Sequence, residues 1–437
     1  MAALLVLPGF ASTNLPGPAR AVDATMLHQK LLLGYQGWFA CPGDGSPPNR
    51  WVHWFRSQTP AATNVTIDCW PDVSELAPEE LFATDMTLPD GRPAKVYSAA
   101  QAKTVDRHFQ WMQEHELDGV FLQRFTSELG DRKFFAWRNQ VTAHVRAGAE
   151  AHGRIFAIMY DISGQPTNSL VRTLTNDWRF LTGSLRITES PRYLHHHGKP
   201  VVAVWGFGFA GRPDTPEQAL QVIRFFKDAG CIVVGGVPAY WRTLRRDAQT
   251  NAAWAGAFRA FDVISPWSVG RYADEAGADR FCAEVTAPDL VAAKSAGCEY
   301  LPVLFPGFSW HNLNGGPLNQ IPRRGGRFYW RQAVNAVNAG CTMIYGAMFD
   351  EMDEGTAMFK LAPSRSSLPA QGSFVPLDMD GENLPSDWYL RLANETGKAL
   401  RGEKPAGRGL PITDFSKTSF PAAASPAVSS PDQAAPR

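Results

Sequence analysis

The sequence predicts an α/β protein with the (β/α)₈ TIM-barrel fold, and three observations favour this class. Eight short apolar runs alternate with segments of helical periodicity, which is typical of buried parallel strands joined by crossover helices. No glycine-rich phosphate loop follows the first run, which disfavours the alternative, a doubly wound dinucleotide-binding sheet. The length of 437 residues fits a single barrel with insertions.

The first half of the predicted barrel contains four strands. Leu31–Gln36 is the first predicted strand, and a Pro-, Gly- and Trp-rich insertion follows from Ala40 to about Ala99. The insertion lacks helical periodicity, so we expect a loop excursion that could hold a small hairpin. The next elements are helix 104–115, strand 119–123, helix 133–152, strand 155–160, helix 169–181 and strand 201–205.

The second half continues the alternation. Pro216, a residue suited to a first helical turn, begins a predicted helix that ends at Asp228. The remaining elements are strand 231–235, a helix containing Trp254 and Phe258, strand 262–265, helix 288–296, strand 300–304, helix 328–339, strand 342–346 and helix 387–400. Three of these strands begin at or just after the cysteine of an Ala-Gly-Cys tripeptide, which predicts buried thiols at Cys231, Cys298 and Cys341.

Both ends of the chain differ from the predicted domain, residues 26–402. Residues 1–25 carry a short apolar run and a small-x-small tripeptide, Ala19–Ala21, but no charged n-region. They are either a truncated signal peptide, which predicts a secreted or periplasmic protein, or a disordered leader. If the protein is exported, Cys41 and Cys69 could form a disulfide. Residues 403–437 are Pro-, Ala- and Ser-rich and are predicted to be a disordered tail.

Charge and composition exclude several classes of partner. Forty-two basic and 42 acidic residues give a formal net charge of zero, so neither nucleic acid nor an anionic membrane surface is expected. No apolar run reaches the length of a membrane-spanning helix, no Cys/His spacing predicts a metal site, and no cofactor is expected. The tract 195–197, three histidines, is interpreted as a surface turn on the bottom face rather than a metal site. The oligomeric state cannot be predicted.

The candidate site lies where the strands end, because barrel enzymes carry their active sites at the C-terminal face. Aromatic rings with a few amides and charges at these positions suit a polyhydroxylated ligand. The predicted substrate-binding residues are Tyr35, Trp38, His53, Trp54, Arg124, Tyr160, Asp161, Trp205, Tyr240, Trp241, Trp267, Trp310 and Asp350. The alternatives are a packed loop residue for His53, a turn or helix cap for Asp161, and binding of a carboxylate or an acidic sugar for Arg124.

The segment 349–356, after the eighth strand, holds four acids within five residues: Asp350, Glu351, Asp353 and Glu354. Glycoside hydrolysis usually needs one protonated and one ionised carboxyl group, and like-charge crowding raises at least one pKa. Two glutamates three residues apart could therefore be catalytic. The alternative is an acidic loop that is solvated, caps a helix or holds calcium.

This segment resembles the Asn-Glu-Trp-His-Glu-Gly-Thr signature of glycoside hydrolase family 99, the endo-α-mannosidases, and their family 71 relatives. The stretches at 306–308 and 324–330, and the aromatic residues at 35–38 and 51–54, are also similar to that family. The resemblance implies a retaining hydrolase without a metal in its chemistry, which acts through the sugar 2-hydroxyl and a 1,2-anhydro intermediate. It assigns Glu351 as the base and Glu354 as the general acid/base.

The sequence departs from that signature at Asp350, Met352 and Asp353, which replace Asn, Trp and His. The sequence resembles a 71/99-like branch, sometimes labelled xylosidase or arabinosidase, more closely than a mannosidase. We therefore predict a hydrolase that cleaves α-linked glycosidic bonds in an oligo- or polysaccharide. A catalytically silent carbohydrate-binding barrel and a calcium-stabilised structural domain are the alternatives.

Overall fold

The computed structural model describes residues 21–412, so most of the predicted leader and tail lies outside the described residues. The strands are β1 (Leu31–Tyr35), β2 (Leu81–Thr87), β3 (Pro93–Tyr97), β4 (Gly119–Phe125), β5 (Ile155–Asp161), β6 (His195–His196), β7 (Lys199–Trp205), β8 (Ile232–Pro238), β9 (Val263–Trp267), β10 (Glu299–Tyr300), β11 (Val303–Leu304) and β12 (Ile344–Gly346). The helices are α1 (Ala102–Glu114), α2 (Arg132–His152), α3 (Thr167–Gly183), α4 (Pro216–Asp228), α5 (Trp254–Phe258), α6 (Glu275–Phe281), α7 (Ala287–Ser295), α8 (His311–Asn314), α9 (Arg327–Asn338) and α10 (Trp388–Leu400).

A parallel ladder closes the barrel. The strands pair in the order β9, β8, β7, β5, β4, β1, β12. The gap between β9 and β12 is filled by the single segment 299–304, whose first half, β10, pairs with β9 and whose second half, β11, pairs with β12. Pro302, which has no N–H to donate, separates the halves. The predicted eight-stranded barrel is confirmed, with its seventh strand divided in two.

The loops account for the differences from the sequence prediction. The insertion after β1 contains the antiparallel hairpin β2–β3. The prediction missed α6 and the π-helical turn Cys282–Thr286, which precede α7 in one continuous helical stretch. The start of α6 does carry a sequence signal, because the Asp274 side chain caps it by accepting from the N–H of Gly277.

The core contains the six tryptophans that the helical pattern assigned to it: Trp111, Trp137, Trp178, Trp254, Trp330 and Trp388. The thiols of Cys231, Cys298 and Cys341 are buried, as expected. The possible disulfide is not formed, since Cys41 and Cys69 are both buried free thiols. Within residues 21–412 no helix combines the length and apolarity needed to cross a bilayer.

Candidate active site

Asp350 fixes the acidic loop against the end of β1. Its two carboxylate oxygens accept the backbone N–H groups of Gln36 (2.6 Å) and Gly37 (2.9 Å). Burial raises the pKa of Asp350 to about 7 although both N–H groups stabilise its charged form, and the negative charge of Asp353 adds to the rise. Because both oxygens are already used, Asp350 is poorly suited to the calcium-ligand role considered for this loop.

Glu351 and Glu354 lie close enough to repel each other. Burial is the main cause that raises the pKa of both, and the charge of Glu354 raises the pKa of Glu351 further. Among the described residues, no lysine or arginine forms an ion pair with either carboxylate. The repulsion therefore favours a state in which the pair holds a proton near neutral pH.

The two glutamates differ in their surroundings. A hydrogen bond from the Gln36 side chain stabilises the charged form of Glu351. For Glu354, whose charge is opposed by those of Asp353 and Asp161, no donor to the carboxylate is found in the described part of the chain. Glu354 is also the more exposed of the two. The Gln36 donor is the contact that favours ionisation of Glu351, and it acts against the burial and the neighbouring acids that raise the pKa of both glutamates.

The backbone after Glu354 is held on both sides. Gly355 has φ +64°, and a Cβ there would come within 2.8 Å of the Ser309 nitrogen, so the position requires glycine. The Ser309 N–H donates to the Glu354 carbonyl (3.0 Å). The Arg323 guanidinium donates to the carbonyls of Gly355 and Ala357. These contacts position the acidic loop from its backbone and leave the Glu354 carboxylate unused.

Asp68, from the insertion, joins the acidic loop to the loop after β11. Its N–H donates to the Met352 carbonyl (2.9 Å), and its carboxylate accepts from the Ser309 hydroxyl and the N–H groups of His311 and Asn312. Trp310 lies within this second loop and is half-buried. Sequence analysis missed Asp68, since its partners are more than 240 residues away along the chain.

An aromatic stack borders the acids. The His53 ring stacks on Trp38 with centroids 3.8 Å apart, and Trp38 also stacks on Phe125. His53 Nδ1 lies 3.4 Å from one oxygen of Asp353, and the other oxygen is buried without a hydrogen-bond partner. The predicted residues Trp38, His53 and Asp350 thus meet at the acidic loop.

Other polar groups at the mouth also lack partners among the described residues. The indole N–H groups of Trp38, Trp205 and Trp310 are buried and unpaired. Trp205, at the end of β7, packs edge-on against Trp267, at the end of β9. Buried polar groups normally find partners, so this set of donors, with the free Asp353 oxygen, suits a ligand rich in hydroxyl groups.

No protein-family model matches this sequence, and no curated protein matches it. Solved structures do match its fold. The endo-α-mannosidase of glycoside hydrolase family 99 from Bacteroides thetaiotaomicron superposes with a TM-score of 0.63 at 13% identity, over 86% of this chain and 99% of that one. A protein described as glycoside hydrolase-like superposes with a TM-score of 0.53 at 14% identity, over 88% of this chain and 98% of that one. The chain has the family 99 fold.

Within the family 99 fold, five predicted sugar contacts point away from the mouth. Tyr35, Trp54, Arg124, Tyr160 and Trp241 are buried in the protein interior. For example, the hydroxyl of Tyr35 pairs with His108 on α1 (2.9 Å), and the indole of Trp54 donates to the Tyr97 carbonyl. The structure contradicts direct sugar contact by these five residues.

Strand alternation explains the errors at Tyr35, Arg124 and Tyr160, which lie on β1, β4 and β5. Successive side chains of a strand point to opposite faces, so one faces the barrel interior and the next faces the helices. Gln123 points inward and donates to the Tyr345 hydroxyl, whereas Arg124 points outward and pairs with Asp177 on α3. Tyr160 also donates outward to Asp177 (2.7 Å), and the next residue, Asp161, lies near Glu354. Counting alternate residues along β4 and β5 in the sequence would have separated Gln123 and Asp161 from Arg124 and Tyr160.

Two further residues complete the description. Tyr240 is half-buried, and the Arg246 guanidinium covers its ring 4.5 Å from the centroid. Arg138, which sequence analysis missed because it lies on a helix, is buried and donates to the carbonyls of Gln36 and Gly37. Arg138 therefore supports the turn whose N–H groups hold Asp350, and it acts as a positioning residue.

Proposed function

We propose that this protein is a retaining glycoside hydrolase that cleaves α-linked bonds in an oligo- or polysaccharide. The observation that carries the proposal is the pair Glu351 and Glu354, two neighbouring carboxyl groups with raised pKa values beside aromatic rings and unpaired polar groups. The family 99 fold supports it, since a structural neighbour is an endo-α-mannosidase. A carboxyl pair that shares a proton can act as base and acid at neutral pH.

In the first step, the ionised Glu351 removes the proton of the sugar 2-hydroxyl, and O2 attacks C1. Glu354 donates its proton to the glycosidic oxygen, so the bond from C1 to that oxygen breaks and the leaving alcohol departs. The products are a 1,2-anhydro sugar, a protonated Glu351 and an ionised Glu354. The Gln36 hydrogen bond that stabilises charged Glu351 favours this starting state.

In the second step, the ionised Glu354 removes a proton from water, and the water oxygen attacks C1. The bond from C1 to O2 breaks, and Glu351 returns its proton to O2. Two inversions at C1 give net retention, and both glutamates recover their starting protonation states. This route differs from direct attack by a carboxylate nucleophile.

The departures from the family signature change the sugar contacts rather than the acid pair. Met352 is buried, and its carbonyl accepts from Asp68 and Cys69, so its side chain is directed into the core. Asp353 stands where the signature has histidine, but the imidazole of His53 reaches it from the insertion. We infer that the His53–Asp353 pair contacts the sugar, so that mannose need not be the preferred unit.

The test is a hydrolysis screen over α-linked oligo- and polysaccharides, with NMR detection of the product anomer. Wild-type protein should release a retained product from at least one substrate. Glu351→Gln and Glu354→Gln should abolish release, whereas Glu189→Gln, a change at an exposed glutamate, should not. Binding without turnover by the wild type would contradict the hydrolase and favour the carbohydrate-binding barrel.

A further inference from the structure

Three histidines surround one carboxylate on the bottom face of the barrel, away from the acidic loop. Glu299, at the start of β10, lies 2.7 Å from His28 Nε2, 3.1 Å from His196 Nε2 and 2.7 Å from His197 Nε2. The ligand atoms of His28, His196 and Glu299 all lie within 4.8 Å of one another. Imidazole and carboxylate groups are the usual ligands of divalent transition metals.

Hydrogen bonding distinguishes the roles of the histidines. His196 Nδ1 accepts the backbone N–H of Leu27 (3.2 Å), so the ring proton of neutral His196 is on Nε2. His196 therefore donates to Glu299 and has no lone pair for a metal on that side. In the described part of the chain, the Nδ1 atoms of His28 and His197 form no hydrogen bond, so either ring can carry its proton there and direct the Nε2 lone pair at an ion.

We propose that His28, His197 and Glu299 bind a divalent transition-metal ion of the Zn²⁺ class, with His196 as the positioning residue that orients the Glu299 carboxylate. Two histidines and one carboxylate leave a fourth tetrahedral position for water. An N–H donor to the ligating carboxylate is a common outer-shell contact.

The geometry is compatible with this assignment. The ring centroids of His28 and His197 lie 6.2 Å apart, slightly more than the roughly 5–6 Å expected for two imidazoles on one zinc ion, so the exposed His197 ring would have to move slightly toward His28 to bind it. The His197 side chain is 56% exposed and those of His28 and Glu299 are about one-third exposed, so an ion can enter from solvent.

The ligands belong to three separate parts of the barrel. His28 precedes β1, His197 lies in the turn between β6 and β7, and Glu299 begins β10. An ion would therefore link the N-terminal ends of three barrel strands. The N-terminal face of a TIM barrel contributes to stability, whereas the catalytic residues lie at the C-terminal face. The ion should therefore stabilise the fold without taking part in the proposed hydrolysis.

The test uses the full-length protein after dialysis against a chelator. Isothermal titration with ZnCl₂ should show one binding site, and Zn²⁺ should raise the melting temperature reversibly. Co²⁺ should give the intense visible bands of a tetrahedral site. The variant with both His28→Ala and His197→Ala should lose Zn²⁺ binding by at least tenfold and lose the Co²⁺ bands.

The matched control is His195→Ala, since this neighbouring imidazole hydrogen-bonds the Tyr193 carbonyl rather than Glu299. His53→Ala controls for binding at the acidic loop. Both should bind Zn²⁺ as the wild type does. Absence of wild-type binding, or equal binding by the double variant, would overturn the proposal, and so would loss of binding in His195→Ala or His53→Ala.

The positioning role of His196 has its own readout. His196→Ala should weaken Zn²⁺ binding about 10- to 100-fold, and His196→Gln, which keeps an N–H donor, should recover part of it. Co²⁺ bands of unchanged position in His196→Ala would show that the ligand set is intact. An unchanged Zn²⁺ affinity in His196→Ala would contradict the assigned role.

Discussion

The two ends of the barrel place glutamate in opposite environments. At the bottom, three imidazoles surround Glu299, and these contacts lower its pKa to about 2 although burial opposes the change. At the top, Glu351 and Glu354 face each other and other acids, and their pKa values are raised. The histidines at the bottom compensate the charge of Glu299, whereas at the top no lysine or arginine of the described residues pairs with Glu351 or Glu354.

This contrast supports the proposal that the functional site lies at the top of the barrel. A fold gains stability by pairing a buried carboxylate and loses stability by crowding several together. Strongly perturbed carboxyl groups that meet at the C-terminal ends of barrel strands are characteristic of catalytic sites. The unpaired indole N–H groups of Trp38, Trp205 and Trp310 occur at this same end.

The largest expected effect is on kcat, and it distinguishes the two ends of the barrel. Glu351→Gln and Glu354→Gln should each lower kcat by about 10³-fold or more, within the range for loss of a general acid or base. Glu299→Gln should leave kcat within about twofold, because it lies at the opposite end of the barrel. Steady-state kinetics on the substrate found by the screen measures both. If Glu299→Gln lowered kcat as much as the two acidic-loop variants, the comparison between the two ends would be contradicted.

The next effect concerns the backbone of the acidic loop. Gly355→Ala should lower the free energy of unfolding by about 3 kcal/mol, because it combines a positive φ with a close contact to the Ser309 backbone. Gly381→Ala has a positive φ in open space and should cost only about 1 kcal/mol. Urea denaturation gives both values. Similar costs would show that the Ser309 contact is not restrictive.

A smaller effect is expected at Arg138. Arg138→Lys keeps a cation beside Glu128 but loses the forked contacts to the Gln36 and Gly37 carbonyls. We expect kcat to fall about tenfold and the pH profile of kcat to shift, since the turn that holds Asp350 loosens. A change in melting temperature with an unaltered pH profile of kcat would show that Arg138 contributes to stability only.

The smallest effect is one of stability. Glu354 in the folded state keeps a proton that the unfolded chain releases above its ordinary pKa of 4.5. The folded state therefore binds more protons between that pH and the raised pKa, so stability falls as the pH rises through this window.

The substitution Glu354→Gln removes the loss of stability that accompanies rising pH. The variant should exceed the wild type by at least about 1 kcal/mol in the free energy of unfolding at pH 9 and should match it at pH 4. Chemical denaturation at the two pH values checks the sign. A variant that is less stable than the wild type at pH 9 would indicate a stabilising partner for Glu354.

Much of the fold was predictable because buried parallel strands appear as separate apolar runs. The acidic loop was predictable because its four acids are adjacent in sequence. Asp68, Arg138 and the Glu299 cluster were not, since each depends on contacts between distant segments. Arg124 and Tyr160 were placed at the mouth because strand ends were located without regard to which face each side chain takes.

The central claim is that Glu351 and Glu354 share a proton at neutral pH. Titration of ¹³C-labelled glutamate carboxyl groups by NMR measures this directly, with the two Gln variants assigning the signals. One of the two carboxyl groups should remain protonated at pH 7, and removing either glutamate should lower the pKa of the other. Titration of both groups near 4.5, unaffected by the partner's replacement, would contradict the claim.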